Sequence, residues 1–345
     1  AIGALFDFEI AAILSLVLSA TIAYGTQNFQ SLILFYIIPA YFGGLVLGNG
    51  RRVSMFFLAG AVTGVVGAVL ILSIRLSEGT TDLIGLLTLS IASLFNGMAS
   101  ASLGLLLQFL MAQILGITTA IQLLDIARPD HPLLQIILSK SPGSYQHSLQ
   151  VSNLAEQAAK AIGADQLLTR VGAIYHDAGK SSNPSLNPYL STATVIQHIK
   201  DGVNLAKKYR LPNRIIDFIK EHHGTLLTRY FYVKAVENNG NSTENIDENL
   251  FRYPGPKPQS KETALLMLAD GCEARARAEK PQSREELLEI AQKVVSFCQK
   301  EGQLEDTELT MRDLNKIIIS FTDTLINTYH PRIAYPEIKT QIKES

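Results

Sequence analysis

The sequence predicts an all-α protein in two parts, a bundle of membrane-spanning helices followed by an all-helical polar part. Three observations carry this. Charge is segregated: across residues 1–124 the only Lys, Arg, Asp and Glu are Arg51, Arg52, Arg75, Asp7, Glu9, Glu78 and Asp82. Apolar runs in the same stretch reach the ~20 residues that a helix needs to cross a hydrocarbon core roughly 30 Å thick. Beyond it, apolar residues recur at helical spacing and strand signals are absent.

The spans follow in order. "FEIAAILSLVLSATIAYG" (8–25), "SLILFYIIPAYFGGLVLG" (31–48) and "VSMFFLAGAVTGVVGAVLILSI" (53–74) each qualify. "LIGLLTLSIASLFNGMASASLGLLLQFLMAQILG" (83–116) exceeds one span, and reads either as one long helix or as two broken near Asn96-Gly97. Arg51-Arg52 is the basic pair of a short loop and is expected on the cytosolic side. Four crossings then bring the charged half back to the cytosol. Gly60, Ala61, Gly64, Gly67 and Ala68 allow close helix packing. No ionisable residue lies deep in a span, which disfavours coupled transport and leaves an anchor or a sensor.

The net charge of −1 gives no general attraction for a nucleic acid polymer. Cys272 and Cys298 have no metal-binding spacing and fit a reducing compartment. With no initiator Met and no signal-peptide pattern, the chain is expected to be a piece of a longer one. The expected organisation is a partial membrane domain at 1–118, a helical connector at 119–144, a catalytic domain at 145–336 and a tail at 337–345. The lipid bilayer is thus one expected partner, and a homo-oligomer is compatible with the sequence.

In the polar half, "GITTAIQLLDIARPDHPLLQIILSKSPGS" reads as the connector, with a short helix stopped by Pro129 and another by Ser141-Pro142-Gly143. His131 there reads as a packing or surface residue. Successive helices follow: "YQHSLQVSNLAEQAAKAIGA" carries His147, and "ADQLLTRVGAIYHDAGK" ends in His176-Asp177. "NPSLNPY" is a loop, and "LSTATVIQHIKDGVNLAKKY" carries His198. "PNRIIDFIKEHHG" carries His222-His223, and "KETALLMLADGCEARARA" carries Asp270. Gly172 and Ala173 lie one turn before His176 and let a neighbouring helix come close.

Each polar position has an ordinary explanation singly; Asp270, for example, could cap a helix or pair with Arg275. Together, five of the seven histidines and two carboxylates stand at the core-facing ends of five successive helices. Burying so many polar groups without partners costs several kcal/mol each. A metal centre removes that cost, and imidazole with carboxylate suits divalent Fe, Mn, Zn or Co.

The order His147, His176-Asp177, Asp270 resembles the signature of the HD superfamily of metal-dependent phosphohydrolases. His198 and His222-His223 resemble the subset that holds two metals. "HPLLQ", "LAEQAAKAIGA", "HDAGK", "HIKDGV", "RLPNRIIDFIKEHHGT", "RYFY", "FRYPGPKPQSKETA", "MLAD" and "YHPRIAYPE" are similar to the seven-transmembrane HD family of cyclic di-AMP phosphodiesterases, over nearly all of 116–336. The resemblance implies that His147, His176, Asp177 and Asp270 hold one metal and His198, His222 and His223 the other. Asp177 then bridges the two, and the pair is iron or manganese. The chain departs from the family in a short "SSNPSLNPYLSTATVIQ" segment, in Ala178 where Ile is common, and in lacking an extracellular domain and further spans.

The implied reaction is hydrolysis of cyclic di-AMP to linear pApA in the cytoplasm, at the membrane, by a hydroxide activated between two divalent ions. Asp177 and Lys180 are the expected catalytic pair, with the Lys180 ammonium on a non-bridging phosphate oxygen. Arg229, Tyr230, Arg252 and Tyr253 are expected to contact phosphate or stack on a base. The rival readings are a phosphodiesterase for cyclic di-GMP, whose Gly-Tyr-Pro signature is missing, and a nucleotide receptor without turnover, which would be expected to have lost ligands.

Overall fold

The computed structural model describes residues 3, 8–48, 50, 52–77, 79, 82–182, 191–244 and 246–328. Arg51, Glu78, most of the "SSNPSLNPY" loop, "YHPRIAYPE" and the C-terminal tail lie outside them. The chain divides into two compact units, at residues 1–126 and 127–345. Among the described residues there is no β-strand; Leu227 and Arg252 form an isolated bridge.

The first unit holds α1 (Phe8–Ala23), α2 (Phe29–Leu47), α3 (Val53–Ser77), α4 (Leu83–Leu115) and the short α5 (Ala120–Ile126). α2, α3 and α4 are long and apolar enough to cross a membrane. α1 has 16 residues, about 24 Å of helix at ~1.5 Å per residue, and falls short of a full span. Asn96-Gly97 makes no break: α4 runs through it for 33 residues. Gly97 instead serves close packing. A Cβ there would lie 2.2 Å from the carbonyl oxygen of Gly60 and 2.6 Å from the amide nitrogen of Gly64. Ser93 donates its hydroxyl to the carbonyl of Gly64 at 2.9 Å across the same interface. Small residues thus bring two backbones together where lipid supplies no hydrophobic drive between helices. Large apolar side chains such as Ile91, Phe95 and Ile114 point outward.

The second unit holds α6 (Pro132–Lys140), α7 (Pro142–Ile162), α8 (Gln166–Tyr175), a 3-10 turn (Ala178–Ser181), α9 (Thr192–Lys208) and α10 (Asn213–Glu221). α11 (Arg229–Asn238), a 3-10 turn (Glu248–Phe251), α12 (Lys261–Glu279), α13 (Arg284–Lys300) and α14 (Met311–Thr328) complete it. The second short helix ends at Ser141-Pro142, as expected, and the next begins at once. Ser141 ends α6 and Pro142 opens α7 at its first position, where its missing N–H costs nothing. Starts are fixed by side-chain caps: Asp165 accepts from the amide of Leu168, Ser191 from Thr194 and Ser283 from Glu286. Ser260 and Thr263 form a reciprocal capping box.

α7 packs on α8, α12 and α14, and α8 also on α10. The core between them includes Tyr175, Phe218, Leu265, Leu266, Leu268, Ile317 and Phe321, all fully buried. Gly172 is the contact that draws α8 and α10 together, because a Cβ there would lie 2.3 Å from the Phe218 ring. Burial of a ring of that size stabilises by about 1.5–3 kcal/mol, and it holds the ends of α8 and α10 side by side.

Candidate metal centre

α8 stops at Tyr175, so His176 and Asp177 leave its last turn and enter the 3-10 turn. That turn lies against α9: a Cβ on Gly179 would stand 1.8 Å from the carbonyl oxygen of His198. Gly202 of α9 faces the same contact, its Cβ position lying 3.2 Å from the Gly179 amide nitrogen. These two glycines let the segments carrying His176-Asp177 and His198 touch through their backbones. His222 and His223 follow the end of α10, His147 sits early in α7, and Asp270 lies midway along α12.

The structure brings all seven expected ligands together. His198, His222 and His223 form one group, His147, His176 and Asp270 a second, and His176, Asp177 and His222 a third, each with its candidate ligand atoms within 4.8 Å of one another. Asp177 Oδ1 lies 3.6 Å from His198 Nε2 and 3.8 Å from His222 Nε2, while Oδ2 lies 3.4 Å from His176 Nε2. Asp270 Oδ1 faces both His147 Nε2, at 2.8 Å, and His176 Nε2, at 3.9 Å.

The hydrogen bonds determine which ring nitrogens are free. His176 Nδ1 meets the carbonyl of Ala173 at 2.7 Å, and His222 Nδ1 that of Ile219 at 2.9 Å. His198 Nδ1 bonds to the carbonyl of Val195 in the same way. A carbonyl only accepts, so each Nδ1 carries the proton and each Nε2 presents a lone pair. His198 and His222 point these lone pairs at each other across 3.2 Å. His176 Nε2 and Asp177 Oδ1 are buried with no hydrogen-bond partner at all. Opposed lone pairs and an orphaned carboxylate oxygen in a buried place are costly unless a cation lies among them. The donor set of imidazole and carboxylate fits a divalent ion, so the residues present suit the metal that the sequence calls for.

Electrostatics agree with this reading. Burial, with the neighbouring histidines, holds His222 well below the ordinary imidazole value, and burial takes His223 down to about 3. Burial likewise lowers His198. These rings are therefore neutral, as ligands must be. Burial alone would push Asp177 and Asp270 up. Lys180 and His176 outweigh it at Asp177, and the His147 hydrogen bond does so at Asp270, leaving both carboxyls well below their usual range. His147 differs: burial would lower it, but its hydrogen bonds to Asp270 and Glu273 raise it to about 9.

The cluster floors a cleft of about 450 Å³ lined by Ser144, His147, Asp177, Lys180, His223, Tyr253, Asp270, Glu273 and Arg277, among others. Lys180 is half-exposed there, with Nζ 2.6 Å from Asp177 Oδ2. Tyr253 stacks on His223 with ring centroids 4.3 Å apart. The other expected substrate contacts do not line this cleft. The Arg229 guanidinium lies 5.6 Å from the centroid of the Phe297 ring, and Tyr230 lies edge-on to Phe231. Arg252 donates to the Thr225 carbonyl at 2.9 Å and pairs with Glu248. Glu273 and Arg277, which do line it, escaped the sequence reading. Glu273 stands three residues after Asp270 and so shares its helix face, a signal that was available.

Residues 144–275 match the HD domain family. The chain is 36% identical over 336 residues to the cyclic-di-AMP phosphodiesterase PgpH of Bacillus subtilis, covering 92% of this chain and 46% of that protein. It is 32% identical over 345 residues to the protein of the same name from Listeria monocytogenes, covering 95% and 47%. The solved HD domain of L. monocytogenes PgpH, in complex with cyclic di-AMP, superposes with a TM-score of 0.54 at 38% identity, over 59% of this chain and 100% of that one. The chain therefore belongs to the HD-domain family and, within it, to the PgpH group. It spans about half the length of the curated relatives it matches.

Proposed function

We propose that this chain is a membrane-anchored, metal-dependent phosphodiesterase that opens cyclic di-AMP to linear pApA. The observation that carries the reading is the cluster of seven ligand-type side chains, three of whose histidines turn an Nε2 lone pair inward, beneath a cleft that four of the seven line together with Lys180. The PgpH relatives, named for this activity, support the choice of substrate.

His147, His176, Asp177 and Asp270 would hold one divalent ion and His198, His222 and His223 a second, with Asp177 shared; iron or manganese is the proposed metal. Bound there, the metals would lower the pKa of water and offset charge on the phosphoryl oxygens. The remaining work falls to the chain. Lys180 reaches a phosphate oxygen from the cleft wall, and Tyr253 offers a ring at the wall to a base. Arg229, Tyr230 and Arg252 would meet only a part of the substrate that extends beyond the cleft.

The second unit would face the cytoplasm, with α2, α3 and α4 in the bilayer. Single cysteines at positions 49–52 and 180 should be labelled from one side of the membrane and at 78–82 from the other; labelling of 78–82 from the cytosol alone would refute this arrangement. The activity is tested with purified protein on several cyclic dinucleotides. Cyclic di-AMP should be cleaved fastest, to pApA, and a preference for cyclic di-GMP would overturn the substrate assignment.

A further inference from the structure

Three of the cluster histidines hold their rings by donating Nδ1–H to a carbonyl three residues back in their own chain. His147 does not. Its Nδ1 meets Glu273 Oε2 at 2.5 Å, across 126 residues of sequence. The Glu273 side chain is about 1% exposed, and its other oxygen is bound by Arg277. His147 is also the more exposed ring, at 12% against 0% for His176 and His222, so packing constrains it less.

The chemistry of Nδ1 decides what Nε2 can do. Both ring nitrogens of His147 face carboxylates, Nε2 meeting Asp270 Oδ1 at 2.8 Å; once the ring gives up a proton to bind metal through Nε2, an acceptor at Nδ1 keeps the remaining proton there. Arg277 Nη2 lies 3.5 Å from the same Nδ1. A guanidinium only donates. Were Glu273 absent, the Arg277 guanidinium beside Nδ1 would favour a lone pair there and the proton on Nε2, the form that cannot bind a metal through Nε2.

We propose that Glu273 is the positioning residue of His147, holding the ring in the Nδ1–H form with Nε2 turned toward Asp270 and His176, and that it does so against the opposite bias of Arg277. This rests on the metal-dependent reading above. A carboxylate behind a ligand imidazole commonly sets metal affinity by about 10–100-fold.

The test is metal retention by the purified full chain across a chelator series, with metal counted by elemental analysis. Glu273→Ala should lose metal at roughly 10–100-fold lower chelator than the wild type, and the equivalent lost should be the one that His147→Ala also lacks. Glu273→Gln, whose amide oxygen still accepts, should fall between. Arg277→Ala should improve metal retention more in the Glu273→Ala background than in the wild type, a coupling that neither a merely structural role for Glu273 nor loss of the Arg277 charge alone produces. Retention by Glu273→Ala equal to wild type, or an Arg277→Ala effect equal in both backgrounds, would overturn the inference. Should Glu273→Ala lose its helical circular dichroism, Glu273→Gln carries the test, and wild-type retention there would overturn it. A wild-type chain that binds no metal would instead remove the metal reading, and this inference with it.

Discussion

Lys180 is set apart from the seven cluster side chains by its chemistry: a protonated amine has no lone pair for a metal. It lines the cleft and pairs with Asp177 at 2.6 Å. Burial would lower its pKa, but Asp177 more than compensates and raises it, so the charge is secure. Lys180→Ala should leave metal content unchanged and slow turnover of cyclic di-AMP. A charge-assisted hydrogen bond to phosphate is worth about 1.5–3 kcal/mol, and ~1.36 kcal/mol is tenfold in rate, so a fall of roughly ten- to a hundredfold is expected. His176→Ala should lose metal and activity together. Full activity of Lys180→Ala at full metal occupancy would reduce Lys180 to a structural partner of Asp177. The seven clustered residues were legible in the sequence because each interrupts an apolar helical face, where a His or a carboxylate needs a reason. Glu273 left a weaker signal, its place on the Asp270 helix face, masked because an acid and a base four residues apart on a helix ordinarily form a surface pair; Arg277 left none beyond that pairing.

At the scale of elements, ligand-bearing segments meet where a side chain is missing. Gly179 is the sharpest case, since any Cβ there collides with the His198 carbonyl. Gly179→Ala should push the 3-10 turn and α9 apart, destabilise the fold by roughly 1–3 kcal/mol and weaken metal binding at His198. Denaturant unfolding and metal analysis would check this, and unchanged values in both would refute the contact. In the first unit Gly97 plays the same part, and Gly97→Leu should disrupt the packing of α3 on α4, read as a lower unfolding temperature in detergent. The helices were legible in the sequence, and so was the end of α6 at Ser141. That α7 starts at once at Pro142 was not, because proline both stops helices and starts them. Whether Asn96-Gly97 breaks the last apolar run stayed open, because glycine's close-packing role is visible only when its partner, Gly60, is known to lie opposite.

For the whole molecule, two units with opposite surface chemistry share one chain. The first exposes large apolar side chains, while the second buries its apolar core and keeps a polar cluster within it. This division was legible from the placement of charge alone, because Lys, Arg, Asp and Glu are costly in hydrocarbon. The depth of the cleft and its wall were not, since they depend on how α7, α8 and α12 pack. Because the metal would bind only the folded cluster, its removal should destabilise the second unit. An ion present at about a hundred times its dissociation constant contributes roughly 2.7 kcal/mol, so chelation should lower the temperature at which this unit unfolds, and restoring iron or manganese should raise it again.

The most direct test is a single assay: this chain, purified with metal counted per molecule, incubated with cyclic di-AMP before and after chelation while products are resolved. Linear pApA is expected from protein carrying close to two metal ions, with loss of that product on chelation and its return with iron or manganese. Turnover that persists in metal-free protein, or no cleavage by protein with its metal in place, would contradict that expectation.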